Sequence, residues 1–287
     1  MSMKINKVNK LPSNATWEDF GGSGEKAHFY HANGFPSGVY SRLLAALSQR
    51  FNLSALACRA TWPNIGRPPR RRDWQLYADD LIAFIEHQYH EPIIGIGHSM
   101  GATCTILAAD KRPDLFKALV LIETAMVSKP LAKLVCVLPK SFMAMIEPTK
   151  STLKKTDIWG SREAFLADCR RFRGYKRFDD EAFAALAQHG LVETQAGHFK
   201  LGFPKAWEAH NYTQPPNVLS KLERINIPCV AIRGKPSVFF TDAMWHEWQD
   251  RCPDTIFKQN LAYGHLFPLE NPSICYDLID DGLSGIS

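Results

Sequence analysis

The sequence predicts an α/β fold with a mostly parallel sheet flanked by helices. Short apolar runs of strand length alternate with amphipathic segments of helix length near both ends of the chain. This alternation is typical of parallel strands joined by crossover helices. Residues 126–216 interrupt it, since they hold no strand-like run and show helical spacing instead. We therefore expect one core, residues 1–125 and 217–287, with a helical cap, or lid, inserted at 126–216.

The predicted elements follow in chain order. Strands are expected at 27–30, 53–58, 92–96 and 118–122 before the insertion, and at 227–233 and 255–259 after it. Core helices are expected at 40–50, 74–89, 100–110, 241–251 and 272–280. Asp73 is placed to cap the second of these helices. Inside the insertion, helices are expected at 161–172 and 180–189, the first with a Ser-x-Glu start.

Composition narrows the class of protein. The chain has 287 residues, of which 45% are hydrophobic and 22% charged, as in ordinary globular proteins. No apolar run approaches the roughly 20 residues of a membrane span, and residues 1–14 lack the apolar centre of a signal peptide. The seven cysteines are scattered singly, which does not indicate a disulfide or zinc framework. We expect a cytoplasmic protein with neither a nucleic-acid nor a membrane partner, and the sequence leaves the oligomeric state open.

The motif Gly97-His98-Ser99-Met100-Gly101 lies where a predicted strand passes directly into a predicted helix. A sharp turn at Ser99 would crowd the positions two residues before and after it, and glycine meets that demand at both. Such a turn raises the Ser99 hydroxyl above the sheet. It also directs the N–H of Met100, in the first turn of the helix, to the place where an oxyanion would form. The motif therefore predicts a nucleophile at Ser99.

A serine nucleophile needs a base, and His265 is the candidate among ten histidines. It follows the last predicted strand and the flexible pair Tyr263-Gly264, so it belongs to the same carboxyl edge of the sheet as Ser99. The order serine then histidine, 166 positions apart, favours a catalytic base over a surface or core histidine.

These motifs carry a family resemblance. The segments GHSMG (97–101), HANGFP (31–36) and GHLFPLENP (264–272) resemble the α/β-hydrolase superfamily over about residues 17–285. The resemblance implies the α/β-hydrolase fold, with an eight-strand-type sheet and a cap inserted after the sixth strand. It also implies that Ser99 is the nucleophile and His265 the base.

The segment 31–36 resembles the oxyanion loop of the family, although Asn33 stands where a histidine usually precedes the glycine. By that alignment the N–H of Phe35 joins the N–H of Met100 in an oxyanion hole. A simple Asn-Gly turn that closes a strand is the other interpretation of this segment.

Family members complete a triad of serine, histidine and an acid, and the acid is not at its usual position in this chain. In the family it most often follows the seventh strand, where this chain has Ser237 and Val238. Asp242 comes a few residues later, inside a predicted helix. Some members carry the acid at the end of the sixth strand, and there Glu123 follows the apolar run 119–122. We assign the acid to Glu123 and keep Asp242, or a site without an acid, as alternatives.

The predicted function is a serine hydrolase that cleaves an ester-type acyl bond of a small molecule through an acyl-enzyme, with no cofactor and no metal. A serine in place of aspartate at the turn disfavours dehalogenase and epoxide-hydrolase chemistry. We expect Trp62, Trp207 and His210 to form pocket walls. The alternatives are a non-catalytic binding protein of hydrolase-like fold, or a cofactor-free haloperoxidase or aminopeptidase type of member.

Overall fold

The structure, a computed structural model that describes residues 10–286, is built on a seven-stranded sheet. The strands in chain order are β1 (Trp17–Gly21), β2 (Glu25–Tyr30), β3 (Phe51–Leu56), β4 (Ile93–His98), β5 (Phe116–Ile122), β6 (Ile158–Trp159), β7 (Leu191–Glu193), β8 (Phe199–Leu201), β9 (Cys229–Arg233) and β10 (Ile256–Gln259). The main sheet has the order β1-β3-β2-β4-β5-β9-β10, and β1 runs antiparallel to β3 while the other neighbours are parallel. Residues 1–9, which belong to the segment without a signal-peptide centre, lie outside the described residues.

Thirteen α-helices accompany the strands in the described part of the chain. They are α1 (Ser41–Arg50), α2 (Gln75–Gln88), α3 (Met100–Lys111), α4 (Lys129–Val137), α5 (Lys140–Met143), α6 (Thr149–Lys154), α7 (Arg162–Arg171), α8 (Asp180–His189), α9 (Lys205–Tyr212), α10 (Leu219–Leu222), α11 (Asp242–Arg251), α12 (Phe267–Glu270) and α13 (Pro272–Ser284). Over residues 10–286, none is long and apolar enough to cross a membrane.

Helices cover both faces of the main sheet. Side chains of α1 and α13 pack on one face, and those of α2, α3 and α11 pack on the other. The residues of β5 alternate between the two cores: Leu119 and Leu121 belong to the α2–α3 side, and Val120 and Ile122 to the α1–α13 side. A strand that is covered on both faces has a continuous apolar sequence, so β5 could be predicted from its sequence.

The predicted fold class is confirmed, with two differences in detail. The described residues hold seven strands in the main sheet, whereas the family resemblance implies an eight-strand type. The expectation that the insertion holds no strand is wrong, because β6, β8 and β7 form a small antiparallel sheet within it. Strands of two or three residues are too short to show a period of two in the sequence.

Three buried histidines lie on or next to β2 and β4. Nε2 of His28 accepts the N–H of Leu56 at 3.0 Å, and Nε2 of His31 accepts the N–H of Cys58 at 2.8 Å. Burial lowers the pKa of His28 to about 3 and that of His31 to about 4. Burial, together with the nearby imidazole of His265, lowers the pKa of His98 to about 3. All three rings are therefore neutral in the folded protein near neutral pH.

These pKa values predict a loss of stability in mild acid. Each folded pKa lies below the unfolded value of about 6.5, so the unfolded chain binds more protons below that pH. We expect the free energy of unfolding to be fully maintained above pH 6.5 and to fall as the pH decreases towards 4, by up to about 1.4 kcal/mol per pH unit for each histidine. Urea denaturation at a series of pH values measures this slope.

The variant His31→Gln, whose amide oxygen can still accept the N–H of Cys58, should flatten the slope by about one proton. The matched variant His90→Gln alters an exposed histidine and should leave the slope unchanged. Equal slopes for His31→Gln and the wild type would contradict the assignment.

Candidate active site

The chain turns sharply at Ser99, between β4 and α3. The backbone of Ser99 is left-handed, with φ 53° and ψ −118°, while its N–H still bonds the carbonyl oxygen of Ile122 at 2.9 Å. A Cβ added at Gly97 would lie 2.5 Å from the backbone nitrogen of Ala102, and one added at Gly101 would overlap the carbonyl oxygen of Tyr30. Both glycines are thus required by steric contact, as the motif predicted.

The structure brings Ser99, His265 and Glu123 into one chain of hydrogen bonds. Oγ of Ser99 lies 2.9 Å from Nε2 of His265, and Nδ1 of the same ring lies 2.9 Å from Oε2 of Glu123. Oε1 of Glu123 accepts the N–H of Gly234. A carboxylate only accepts, so Nδ1 of His265 carries the proton and Nε2 is free to accept the proton of the serine hydroxyl.

Glu123 reaches His265 because the backbone turns immediately after β5. Its N–H bonds the carbonyl oxygen of Ile232 at 2.8 Å, so it still pairs with β9, but its φ is 48°. This left-handed residue leaves the sheet at once, and its side chain is fully buried. Since β4 and β5 are parallel neighbours, Ser99 and Glu123 emerge side by side at the carboxyl edge.

Asp242, the alternative acid, lies elsewhere. It is the first residue of α11, and its carboxylate pairs with the guanidinium of Arg233 at 2.9 Å. The side chain of Asp242 is 60% exposed, whereas that of Glu123 is fully buried. The residues at the usual acid position form a turn in which Oγ of Ser237 accepts the N–H groups of Phe239 and Phe240.

A second buried network, which the sequence did not reveal, joins three loops of the site. The hydroxyl of Tyr40 accepts the N–H of Ala32 at 3.3 Å and donates to Nδ1 of His98 at 2.7 Å. Nε2–H of His98 then donates to the carbonyl oxygen of His265 at 2.9 Å. The two side chains therefore connect the predicted oxyanion loop, the turn at Ser99 and the loop of the base.

The two predicted oxyanion donors differ in their surroundings. Met100 is the first residue of α3, and N–H groups of the first helical turn have no partner within the helix. The N–H of Phe35 donates to the carbonyl oxygen of Ala32 at 3.3 Å, which is a long hydrogen bond. An oxyanion at Phe35 would have to compete with that carbonyl group.

Asn33 binds the predicted oxyanion loop to α9. Its side-chain amide donates to the carbonyl oxygen of Glu208 at 3.1 Å, and its oxygen accepts the amide of Asn211 at 2.9 Å. The carboxylate of Glu208 lies against Gly34, where an added Cβ would be 3.0 Å from Cδ, and it pairs with Lys155. Burial raises the pKa of Glu208, and the charge of Lys155 opposes this effect. The amide at position 33 thus binds the insertion to the core.

Aromatic side chains lie beside His265. The ring of Phe239 is 4.8 Å from the ring of His265, and the ring of Tyr212 stacks on Phe239 at 6.0 Å. Burial, followed by the charge of Glu208, raises the pKa of Tyr212. No sequence signal singled out these residues, because Phe239 and His265 lie on two separate loops of the core and the position of Tyr212 depends on how the insertion folds over it.

The three predicted pocket residues are buried among protein groups. Nε1 of Trp62 donates to the carbonyl oxygen of Ala57 at 2.8 Å, and Nε1 of Trp207 donates to that of Gly66 at 2.9 Å. Nε2 of His210 lies 3.1 Å from the carbonyl oxygen of Arg71, and burial lowers the pKa of this ring to about 4.

Trp207 and His210 therefore hold the loop that follows β3 against α9. Among the described residues, no hydrogen bond or ring contact joins Trp62, Trp207 or His210 to the Ser99–His265–Glu123 chain. Their role as pocket walls stays a prediction.

The Tyr40–His98 network predicts that removal of the Tyr40 hydroxyl lowers both the stability of the protein and the reactivity of Ser99. Tyr40→Phe leaves the N–H of Ala32 and Nδ1 of His98 buried without partners, which should lower the free energy of unfolding by about 1–3 kcal/mol. It should also slow the labelling of Ser99 by a fluorophosphonate, because the ring of His98, which bonds the carbonyl oxygen of His265, loses the hydroxyl that holds it in place. Tyr89→Phe is the matched control: its buried hydroxyl bonds Ser54 at 2.5 Å, so stability should fall while labelling keeps its rate. Equal labelling rates for both variants would refute the positioning role.

Comparisons with known proteins identify the family of the chain. Residues 27–277 match the model of the alpha/beta hydrolase family. The chain is 33% identical over 102 residues to the 2-(acetamidomethylene)succinate hydrolase of Mesorhizobium japonicum, an alignment that spans 36% of each protein.

Two solved structures share the fold. The structure of E-2-(acetamidomethylene)succinate hydrolase superposes with a TM-score of 0.77 at 20% identity and covers 94% of this chain and 95% of its own. The peroxisomal alpha-beta-hydrolase Lpx1 of Saccharomyces cerevisiae gives a TM-score of 0.74 at 15% identity and covers 99% and 86%. The chain belongs to the alpha/beta hydrolase family.

Proposed function

We propose that the protein is a serine hydrolase that cleaves an ester-type acyl bond through a Ser99–His265–Glu123 triad. One observation carries the proposal: two hydrogen bonds of 2.9 Å connect the serine hydroxyl, both ring nitrogens of the histidine and a buried carboxylate. Each atom in this chain has the donor or acceptor role that nucleophilic catalysis needs.

The mechanism follows from these roles. His265 takes the proton of Ser99 through Nε2 as the serine oxygen attacks the acyl carbon, and the same nitrogen then gives a proton to the leaving group. Water then gives a proton to Nε2 of His265 as its oxygen attacks the acyl carbon, and His265 returns that proton to the oxygen of Ser99 as the bond between Ser99 and the acyl group breaks. Glu123 keeps the ring in the correct tautomer and stabilises the imidazolium that forms in each step.

The oxyanion would be held by the N–H groups of Met100 and Phe35. Loss of one such donor costs about 3–4 kcal/mol of transition-state stabilisation in known serine hydrolases. The N–H of Met100 is the stronger contributor, since that of Phe35 is shared with the carbonyl oxygen of Ala32. Phe239 and Tyr212 supply an apolar wall beside His265, and an acyl or aromatic group of the substrate fits against such a wall.

A non-catalytic binding protein is the weaker interpretation. Ser99 and Glu123 both keep left-handed backbones, a conformation that costs of order 1 kcal/mol or more for a residue with a side chain. A binding surface has no need of either strained residue, whereas a triad needs both. In this proposal Glu123 takes the role of the acid that Ser237 and Val238 cannot supply, and its hydrogen bond to Nδ1 of His265 supports that role.

Hydrolysis of an amide-type C–N bond in a small carboxylate compound is the second candidate. It rests on the 33% identity over 102 residues to 2-(acetamidomethylene)succinate hydrolase. The same triad serves both bond types, but a nitrogen leaving group depends more strongly on proton delivery by His265. The haloperoxidase and aminopeptidase types stay unsupported predictions.

Variants at the two candidate acids test the triad. Glu123→Gln should lower kcat for p-nitrophenyl esters by about a thousandfold or more, and Ser99→Ala by at least as much, because the ring loses its orienting charge or its nucleophile. Asp242→Asn should stay within about threefold of the wild type, since this carboxylate is exposed and pairs with Arg233. A large loss in Asp242→Asn with full activity in Glu123→Gln would exchange the two assignments.

A matched pair of substrates tests the covalent step. p-Nitrophenyl acetate and p-nitroacetanilide carry the same acetyl group and the same p-nitrophenyl ring, and they differ only in the ester oxygen or amide nitrogen between the two; they release p-nitrophenol and p-nitroaniline, respectively. The ester should give a burst of p-nitrophenol, because acylation of Ser99 by a good leaving group outruns deacylation. The anilide, if it reacts, should show no burst since acylation is then the slow step. An anilide rate equal to or above the ester rate would favour the amide candidate.

A further inference from the structure

One stretch of the insertion, residues 129–155, exposes an unusual amount of apolar surface. Of the thirteen large hydrophobic side chains that are exposed in the described part of the chain, seven lie in it: Leu131, Leu134, Val137, Phe142, Met145, Ile146 and Leu153. Only four of its 27 residues are buried, namely Val135, Met143, Thr149 and Thr152. We call this stretch the 129–155 surface. Clustered apolar exposure of this kind marks an interaction site more often than isolated exposed residues do.

The 129–155 surface is also strongly positive. It contains six lysines and one glutamate, a net charge of +5, which equals that of the whole chain. Five of the lysines are exposed, namely Lys129, Lys133, Lys140, Lys150 and Lys154. None of the five forms a salt bridge with another described residue, while Lys155 is paired with Glu208. The surface is thus cationic and apolar at once.

Its helices present the two kinds of side chain along their length. On α4, Leu131 and Leu134 are three residues apart, and after the start of α5 Phe142, Met145 and Ile146 follow at spacings of three and one. The only buried residue of α4 is Val135, and an open groove of about 320 Å³ lies between α4 and the core. Little of this helix is therefore committed to the protein interior.

Three kinds of partner could cover such a surface, and its charges distinguish them. A second copy in a two-fold dimer would set lysines against lysines, because the same patch meets itself. Protein interfaces are enriched in arginine and depleted in lysine, yet all six cations here are lysine. Anionic lipid head groups attract exposed lysines at about 1 kcal/mol each, and this energy is about a fivefold gain in affinity.

We propose that the 129–155 surface docks on an anionic phospholipid membrane. The exposed apolar side chains would enter the boundary between head groups and acyl chains, and the lysines would reach outward to the phosphates, as in interfacial amphipathic helices. The sequence led us to expect no membrane partner because it holds no spanning segment. Peripheral docking needs no such segment, and exposure of the side chains is visible only in the folded chain.

Cosedimentation of the full-length protein with vesicles tests the proposal. The wild type should bind phosphatidylcholine vesicles that contain phosphatidylserine. It should bind only weakly to vesicles of pure phosphatidylcholine. Lys133→Glu with Lys150→Glu should weaken binding by about 25-fold or more, at fivefold per lysine. Leu134→Ser should weaken it by about tenfold, the loss expected for one inserted leucine.

Matched variants outside the 129–155 surface test whether the effect on vesicle binding depends on the position of a substitution or only on the change of charge or polarity. Lys176→Glu with Lys200→Glu makes the same change of charge at two exposed lysines of the insertion, and Val192→Ser removes a side chain 49% exposed, against 51% for Leu134. Both should bind vesicles like the wild type. The proposal is overturned if wild type binds neither vesicle, if it binds both equally, or if the control lysines matter as much. It is also overturned if sedimentation without lipid shows a dimer that Leu134→Ser dissociates.

Discussion

The backbone pairing at the carboxyl ends of β4, β5 and β9 is the constraint on which the site depends. Ser99 and Glu123 each follow the end of a strand, and each still donates its N–H to the neighbouring strand, at 2.9 Å and 2.8 Å. Both then turn into the left-handed region, with φ of 53° and 48°. The register of the sheet therefore fixes where the hydroxyl and the carboxylate emerge, before any contact with His265 is made. The loop of the base has only to bring one ring between them.

Buried polar contacts complete what the sheet begins. His98, the last residue of β4, donates a hydrogen bond to the carbonyl oxygen of His265, and Tyr40 joins His98 to the predicted oxyanion loop. The pKa of His98 is lowered to about 3 by burial, so it keeps a neutral ring with one donor and one acceptor near neutral pH. From the other side, Asn33 binds the same loop to α9. The loops that carry the proposed chemistry are thus held by neutral hydrogen bonds, which do not weaken with salt.

Much of this site could be predicted from local sequence, because its strongest requirements are local. The steric demand around Ser99 allows only glycine at 97 and 101, and the apolar run before Glu123 marks the end of a buried strand. What could not be predicted depends on contacts between distant segments. Tyr40 is 58 residues from His98 in sequence, and the strands of the insertion are too short to show a pattern. Residues 129–155 are exposed because no other described segment packs over most of them, and this cannot be seen in the sequence.

The tautomers of two histidine rings test the central claim most directly. Nitrogen-15 NMR of the histidine side chains at neutral pH distinguishes a protonated Nδ1 from a protonated Nε2. The structure predicts that His265 carries its proton on Nδ1, held by Glu123, and that His98 carries its proton on Nε2, held by the carbonyl oxygen of His265. Glu123→Gln should disturb the signal of His265 and leave that of His98 in place. A wild-type protein with His265 protonated on Nε2 would have no base facing Ser99, and that result would contradict the proposed triad.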